Sequence, residues 1–260
     1  KAVTKVRRSL VLVGIILAAT AGRLLAGPAV SVAAASNLLP VIDALRAAWT
    51  AAEPGLTITV SSGASGTLFA QITQGAPYDL FLSADTNYPT RLAQTGAGYA
   101  ASQRIFARGT LALWSTRTDL TLEDLAATLR HPAVKRIAIA QPRTAPYGRA
   151  AELVLSQIGS SAEFSARLVF AETIAQVAQW VATGHADVGF VAGSHVTQGA
   201  ASGRWINVPA SLHADEPLAH AAILTKRGAS NPAARRCLEI LTGPQGAEIL
   251  RAAGYLPAGR

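Results

Sequence analysis

Short apolar runs alternate with amphipathic stretches along most of the chain. The segment AVSVAAAS, which begins at Ala29, predicts a buried strand, and the stretch that follows it to Ala52 has apolar residues at helical spacing. The same pattern predicts later strands at 56–62, 78–84, 104–115, 136–140, 166–171, 187–193 and 217–228, and further helices at 66–75, 88–96, 121–132, 147–159, 173–184, 231–243 and 243–254. Strands that alternate with helices imply parallel pairing and right-handed crossovers, so the expected fold class is α/β.

The order of these elements predicts two lobes. The 260 residues are enough for two α/β lobes of roughly 100 to 130 residues each. A long strand over 104–115 leaves the first block of elements, and no flexible linker follows it. We therefore expect a first lobe formed by 27–108 plus 219–260, a second lobe formed by 109–218, and a ligand cleft between them.

The first 26 residues have the layout of a secretory signal peptide. A basic start precedes an apolar run from Leu10 to Ala21, and small residues follow it. This run is shorter than the roughly 20 residues that a membrane-spanning helix needs, although a short membrane anchor is the alternative interpretation. Cleavage is possible after Ala21 or after Ala26, and the sequence does not decide between them. We expect export to the periplasm.

Removal of 1–26 changes the charge balance. The formal net charge falls from +8 to +3, because five basic residues and no acidic residue lie in that segment. The remaining Lys and Arg residues are scattered, so we expect no nucleic-acid partner. Cys237 is the only cysteine, which excludes an intrachain disulfide, and its spacing favours a place in a helical core.

Four short segments place small or hydroxyl residues where a predicted strand leads into a helix. They are Ala33–Asn37, Gly63–Thr67, Thr144–Gly148 and Phe170–Ile174. The first turn of a helix has unpaired N–H groups and the positive end of the helix dipole, and it therefore binds anions without a charged side chain. Any one of these serines could be an ordinary N-cap. Four such segments at the carboxyl ends of strands, two in each lobe, instead predict a shared anion site in the cleft.

Several longer segments resemble a known family. GASGTLFAQITQGAPYDLFLSAD at 63–85 is similar to the signature of periplasmic molybdate-binding proteins of ABC importers, and VAAASNL, GFVAGS and LTGPQGAEILRAAGY support the same resemblance. The similarity extends from about Val30 to Tyr255. It implies a type II periplasmic-binding-protein-like fold whose lobes close on one tetrahedral oxyanion, molybdate or tungstate, and deliver it to the membrane permease of the importer.

The resemblance also implies the binding residues. Ser36 and Ser65 would bind the oxyanion from the first lobe through their hydroxyl and amide groups, and Tyr147 and Ile174 would contribute backbone amides from the second. Ala192 occupies the position where the family usually has a tyrosine, and this removes one donor. The Tyr147 hydroxyl could compensate for it. The protein would need no cofactor and no direct metal ligands, and we expect a monomer.

The donor set predicts the selectivity of the site. Molybdate and tungstate are fully deprotonated at neutral pH and only accept hydrogen bonds, whereas phosphate keeps a proton that needs an acceptor. None of the four segments places a carboxylate among the proposed donors, so phosphate would be excluded at a cost of about 1 to 3 kcal/mol. Sulfate, another tetrahedral dianion, is the alternative ligand, because only the size of the cavity would reject it.

Other function classes find less support in the sequence. The nucleophile pattern G-x-S-x-G would need glycine at Thr67, and the five histidines fall in no catalytic motif. No residues show metal-ligand spacing, and His213 with Asp215 fits a solvated loop. An interaction module without a ligand, or the effector half of a regulator, remains an alternative. We expect a binding protein and not an enzyme.

Overall fold

Two five-stranded sheets form the framework of the molecule. The computed structural model describes residues 27–159, 161–197 and 202–259, so the predicted signal peptide lies outside the described residues. The strands are β1 (Ala29–Ala35), β2 (Thr57–Gly63), β3 (Leu80–Ser83), β4 (Arg104–Arg108), β5 (Leu111–Ser115), β6 (Ile137–Ala140), β7 (Leu168–Ala171), β8 (Val188–Ala192), β9 (Arg204–Asn207) and β10 (Ala219–Leu224). The first sheet has the order β2-β1-β3-β10-β4, and the second has the order β7-β6-β8-β5-β9.

Helices connect the strands and cover the sheets. They are α1 (Ile42–Ala52), α2 (Ser65–Thr73), α3 (Asn87–Gln94), α4 (Leu125–Arg130), α5 (Pro146–Ile158), α6 (Ser161–Ser165), α7 (Ile174–Ala182), α8 (Ser194–Thr197), α9 (Pro232–Thr242) and α10 (Pro244–Ala252). Short 3₁₀ turns occupy Ser36–Val41, Ala100–Ser102, Ala210–His213 and Gly228–Ser230. In the part of the chain that the structure describes, no helix combines the length and the apolar character needed to span a bilayer.

The sheets are mixed, which corrects the expectation of parallel pairing throughout. β1 is parallel to β2 and β3, and β6 is parallel to β7 and β8. β10 is antiparallel to β3 and β4, and β5 is antiparallel to β8 and β9. The antiparallel strands are those next to the points where the chain passes between the sheets, so the βαβ units themselves keep the predicted parallel geometry.

The chain crosses between the two sheets twice, between Arg108 and Leu111 and again between Asn207 and Ala219. The single strand predicted over 104–115 is therefore wrong, because it is two strands that belong to different sheets. We propose 27–108 plus 219–260 and 109–218 as the two lobes. The C-terminal residues support this division, because Arg108 exchanges backbone hydrogen bonds of 2.9 Å with Leu256 in both directions.

The first sheet has a hydrophobic cluster on each of its faces, and the second sheet has one. In one cluster of the first sheet, Trp49 of α1 is buried against α9, and its Nε1 donates to the Cys237 carbonyl over 3.0 Å. Cys237 itself is buried, as its helical spacing predicted, and burial raises the pKa of its thiol to about 12. The cluster of the second sheet surrounds β5, β6 and β8 and contains Phe190 and Val191. The carboxyl ends of the parallel strands lie outside these clusters and face the space between the sheets.

Candidate functional site

The predicted anion-binding residues lie around one small cavity. The structure brings Ser36, Ser65, Tyr147 and Ile174 together, two from each lobe. The volume of this cavity is about 10 Å³, far below the roughly 300 to 1,000 Å³ of pockets that hold drug-sized organic ligands. Its complete lining consists of Ala35, Ser36, Asn37, Gly63, Ala64, Ser65, Ala84, Ala145, Pro146, Tyr147 and Ile174.

The two serines lie where strands of the first sheet end. Ser36 follows β1 directly and begins the 3₁₀ turn, and Ser65 is the first residue of α2, two residues after β2. Their relative exposures are only 4% and 1%. The N–H group of Ala84 donates to Ser65 Oγ over 3.1 Å. In that bond Ser65 Oγ is the acceptor, and a hydroxyl that accepts can still donate its proton to a ligand.

The second lobe contributes the N-termini of two helices. Tyr147 is the second residue of α5, and Ile174 is the first residue of α7. Thr173 caps α7, and its Oγ1 accepts from Gln176 N–H over 3.2 Å. The first N–H groups of a helix have no partner inside it, so these two positions offer backbone donors and the positive end of a helix dipole to the cavity.

Asn37 is a cavity residue that sequence reasoning missed. Its Nδ2 donates to His220 Nε2 over 2.7 Å and to the Tyr255 hydroxyl over 2.9 Å. Its carbonyl accepts from Tyr255 and, across the lobes, from Ser194 Oγ over 2.9 Å. The signal for it was present, because Asn37 follows Ser36 in the same strand-to-helix segment.

Ala192 does not line the cavity. It is the last residue of β8, is fully buried and pairs with Leu111 of β5. The ring of Tyr147 packs edge-on against His220 with 6.0 Å between centroids, and its hydroxyl has no hydrogen-bond partner among the described residues. Burial raises the pKa of this phenol well above its ordinary value, and the group therefore remains a neutral donor.

The lobes contact each other beside the cavity, so the structure is closed. Gly66 N–H, at the start of α2, donates to the Thr144 carbonyl of the second lobe over 2.8 Å. Three small first-lobe residues that line the cavity pack into the core of the second lobe, and they are Ala35, Ala64 and Ala84. A ligand in this cavity is therefore in contact with both lobes at once.

The cavity has no charged lining residue. Its polar groups are hydroxyls, the side-chain amide of Asn37 and backbone N–H groups, with no Asp, Glu, Lys, Arg or His among the lining residues. Within the described ranges, no group of three or more His, Cys, Asp or Glu residues could hold a metal ion. The chemistry of the site is that of a neutral, donor-rich cradle for a small anion.

Comparison with known proteins gives the family. Residues 30–256 match the model of the bacterial extracellular solute-binding proteins. The chain is 38% identical to the molybdate-binding protein ModA of Azotobacter vinelandii over 205 residues, which cover 78% of this chain and 80% of that protein. It is 36% identical to ModA of Rhodobacter capsulatus over 243 residues, which cover 94% of this chain and 92% of that protein.

Solved structures agree with this result. The periplasmic molybdate-binding protein of Azotobacter vinelandii superposes with a TM-score of 0.82 at 34% identity, over 87% of this chain and 98% of that one. The sulfate-binding protein SubI of Mycobacterium tuberculosis superposes with a TM-score of 0.63 at 14% identity, over 88% of this chain and 87% of that one, and shows the fold alone. The predicted two-lobed periplasmic-binding-protein-like fold is confirmed. The chain belongs to the family of bacterial extracellular solute-binding proteins.

Proposed function

We propose that this protein is an exported binding protein that captures molybdate or tungstate between its lobes and delivers it to the membrane permease of an ABC importer. It acts in the periplasm as a monomer, without enzymatic activity, without a cofactor and without a nucleic-acid partner. Ser36, Ser65, Tyr147 and Ile174 hold the oxyanion. Asn37 lines the same cavity, but its two Nδ2 hydrogens are used by His220 and Tyr255, so its side chain positions the site and does not donate to the ligand.

The uncharged lining of the interlobe cavity is the observation that carries this proposal. A dianion bound there is neutralised by helix N-termini and hydroxyl donors from both lobes. The names of two relatives with 36 to 38% identity and of one solved structure support molybdate as the ligand, since each of these proteins is called molybdate-binding. The absence of a carboxylate from the lining supports the exclusion of phosphate, whose proton would have no acceptor carboxylate.

Titration calorimetry of residues 27–260 with molybdate, tungstate, sulfate and phosphate tests the proposal. We expect saturable 1:1 binding of molybdate and tungstate, weak binding of sulfate and none of phosphate. Binding of sulfate without molybdate would replace the proposed ligand with the alternative one. Absence of binding by all four anions would overturn the proposed function.

A serine variant connects the binding to the cavity. Ser65→Ala removes one hydroxyl donor, and we expect a Kd that is about 10- to 100-fold higher, because hydrogen bonds to charged groups contribute about 1.5 to 3 kcal/mol. Ser156→Ala, an exposed serine on α5, is the matched control and should leave the Kd unchanged. Equal affinities of the two variants would place the oxyanion elsewhere.

A further inference from the structure

Arg149 links the two lobes beside the oxyanion cavity. It lies on α5, two residues after Tyr147, and its Nη2 contacts Asp85 Oδ2 of the first lobe over 2.7 Å. Its Nε contacts Glu216 Oε2 over 2.6 Å, and Glu216 lies in the segment through which the chain returns to the first sheet. One guanidinium therefore bonds two carboxylates through separate nitrogens, a geometry that a lysine ammonium does not reproduce.

This three-residue group is shielded from solvent. The side-chain exposures are 27% for Arg149, 5% for Asp85 and 13% for Glu216. Burial opposes the charge of Arg149, but the hydrogen bond and charge of Glu216 together with the charge of Asp85 outweigh that effect and raise the pKa of its guanidinium. Ion pairs in such surroundings are screened less by salt than exposed pairs, and the loss of one partner is more costly.

Asp85 is held rigidly on its own side of the cleft. Its Oδ1 accepts from Ser83 Oγ over 2.9 Å and from Tyr88 N–H over 3.1 Å, which leaves Oδ2 for Arg149. The neighbouring Ala84 gives its N–H to Ser65 Oγ. In the segment 83–85, Ala84 therefore contacts the proposed oxyanion donor Ser65, and Asp85 contacts the second lobe.

Arg149, the other partner of the ion pair, also lies near the cavity. Arg149 is in the first turns of α5, the helix whose N-terminus presents the Tyr147 amide. The contact between Asp85 and Arg149 thus joins the segment that orients Ser65 to the helix that presents Tyr147. It exists only while the lobes are together, whereas the contact between Arg149 and Glu216 does not depend on the first sheet.

We propose that Arg149 and Asp85 form a latch, a pair of positioning residues that holds the lobes closed over the bound oxyanion and sets the rate of its release. This inference rests on the proposed function. Glu216 keeps the guanidinium in place for Asp85 as the cleft closes. Removal of the latch increases koff more than it lowers kon, because the contact forms only after the ligand has brought the lobes together.

Stopped-flow measurement of molybdate release tests the latch with three variants. Asp85→Asn is the most specific, because its remaining oxygen still accepts from Tyr88 N–H while the charge facing Arg149 is lost. Arg149→Gln removes the other partner, and the double variant removes both. We expect koff to rise about 10- to 100-fold in Asp85→Asn and at least as much in Arg149→Gln, which also loses the contacts of Arg149 with Glu216 and with the Tyr88 ring. The double variant should release molybdate no faster than Arg149→Gln alone, because the Asp85 charge acts through Arg149.

Arg130→Gln is the matched control, since it removes an ion pair of 2.7 Å with Glu163 that lies within the second lobe. Its koff should stay within twofold of the wild-type value. A koff for Asp85→Asn within twofold of wild type, or single-variant effects that multiply in the double variant, would overturn the latch. If the wild-type protein binds no oxyanion, the proposed function fails first, and this outcome is distinct from a wild type that binds molybdate with unchanged release from the variants.

Discussion

The Tyr147 hydroxyl is a buried donor without a protein partner. The side chain is 2% exposed and lines the oxyanion cavity, and its hydroxyl has no hydrogen bond among the described residues. A buried hydroxyl that remains unsatisfied costs about 1 to 3 kcal/mol, so a ligand oxygen that accepts its proton would recover that free energy. The Tyr147 hydroxyl packs close to Gly109. Two residues after Gly109, Leu111 of β5 pairs with Ala192.

Tyr147→Phe tests whether this hydroxyl compensates for Ala192. We expect the Kd for molybdate to rise about tenfold, which corresponds to the loss of one hydrogen bond of about 1.4 kcal/mol. Calorimetry measures the change. Tyr78→Phe is the control, because the Tyr78 hydroxyl bonds only to the exposed Gln71 among the described side chains. An unchanged Kd for Tyr147→Phe would show that the hydroxyl does not contact the ligand.

His220 makes the stability of the protein depend on pH. Its Nδ1 lies 2.8 Å from the Leu218 carbonyl, which can only accept, so Nδ1 carries the proton and Nε2 accepts from Asn37. Burial lowers the pKa of His220 to about 4. Burial also lowers the pKa of His195 to about 4. Both rings are therefore neutral in the folded protein at pH values where the unfolded chain binds protons.

The pH dependence follows from the direction of these shifts. The stabilisation by a neutral histidine is complete above the unfolded pKa of about 6.5 and is lost as the pH falls toward 4, by roughly 3 kcal/mol for each residue. We expect the Tm of the wild type to decrease over this range. The decrease in Tm should be smaller for His220→Gln than for the wild type, and the exposed His131→Gln should match the wild type. An identical pH profile for His220→Gln would contradict this assignment.

Four proposed site residues were predicted from strand ends together with the family resemblance. Ser36 and Ser65 lie in segments that resemble the family, Tyr147 and Ile174 were assigned by position, and the structure places all four around one cavity. Their contacts with an oxyanion remain a prediction. Asn37 lies in one of the four strand-end segments, but the partners of its side chain and carbonyl are 157 to 218 residues away in the chain, and such pairings leave no local pattern.

At the scale of elements, the start of α2 determines how closely the lobes approach. A Cβ atom added to Gly66 would lie 2.9 Å from the Thr144 carbonyl of the second lobe and closer still to the Tyr88 hydroxyl. The Tyr88 ring is buried in a core cluster of the first lobe and the Thr144 carbonyl is backbone, so neither group can easily move aside. The close contact between these elements therefore requires glycine at this position.

Gly66→Ala should keep the lobes slightly apart and also lower the stability of the first lobe. Alanine favours a helix over glycine by about 1 kcal/mol, but its Cβ would collide with the buried Tyr88 ring of the same lobe, so we expect a lower Tm without ligand. The Kd for molybdate should rise at least tenfold, because the donors of the two lobes no longer converge. Calorimetry and thermal unfolding of the same preparation measure both effects. A variant that loses stability and keeps its affinity would contradict this account.

Element-scale prediction failed where tertiary contacts overrule a local pattern. Residues 104–115 read as one strand, yet the chain leaves the first sheet at Arg108 and enters the second at Leu111. Gly109 permits this crossing, because a side chain there would collide with Tyr147 and His220. The helix predicted from Asn37 begins as a 3₁₀ turn that contains Pro40, since proline disfavours helical geometry in the residue before it.

At the scale of the whole molecule, the ligand and the two lobes form one cooperative unit. Each lobe has its own core, and the lobes meet through small residues, single hydrogen bonds and the ion pair of Arg149 with Asp85. A ligand that bonds to both lobes therefore supplies much of the free energy of closure, because it binds the closed state in preference to the open one.

Thermal unfolding with and without ligand tests this view. At a molybdate concentration of 100 times its Kd, binding should raise the free energy of unfolding by about 2.7 kcal/mol. For a protein of this size, that gain corresponds to an increase in Tm of roughly 5 to 10 °C. Phosphate at the same concentration and ionic strength is the control and should leave the Tm unchanged, because the cavity lining offers no carboxylate to accept its proton. Equal shifts with both anions would mean that general charge screening, and not the interlobe cavity, stabilises the fold.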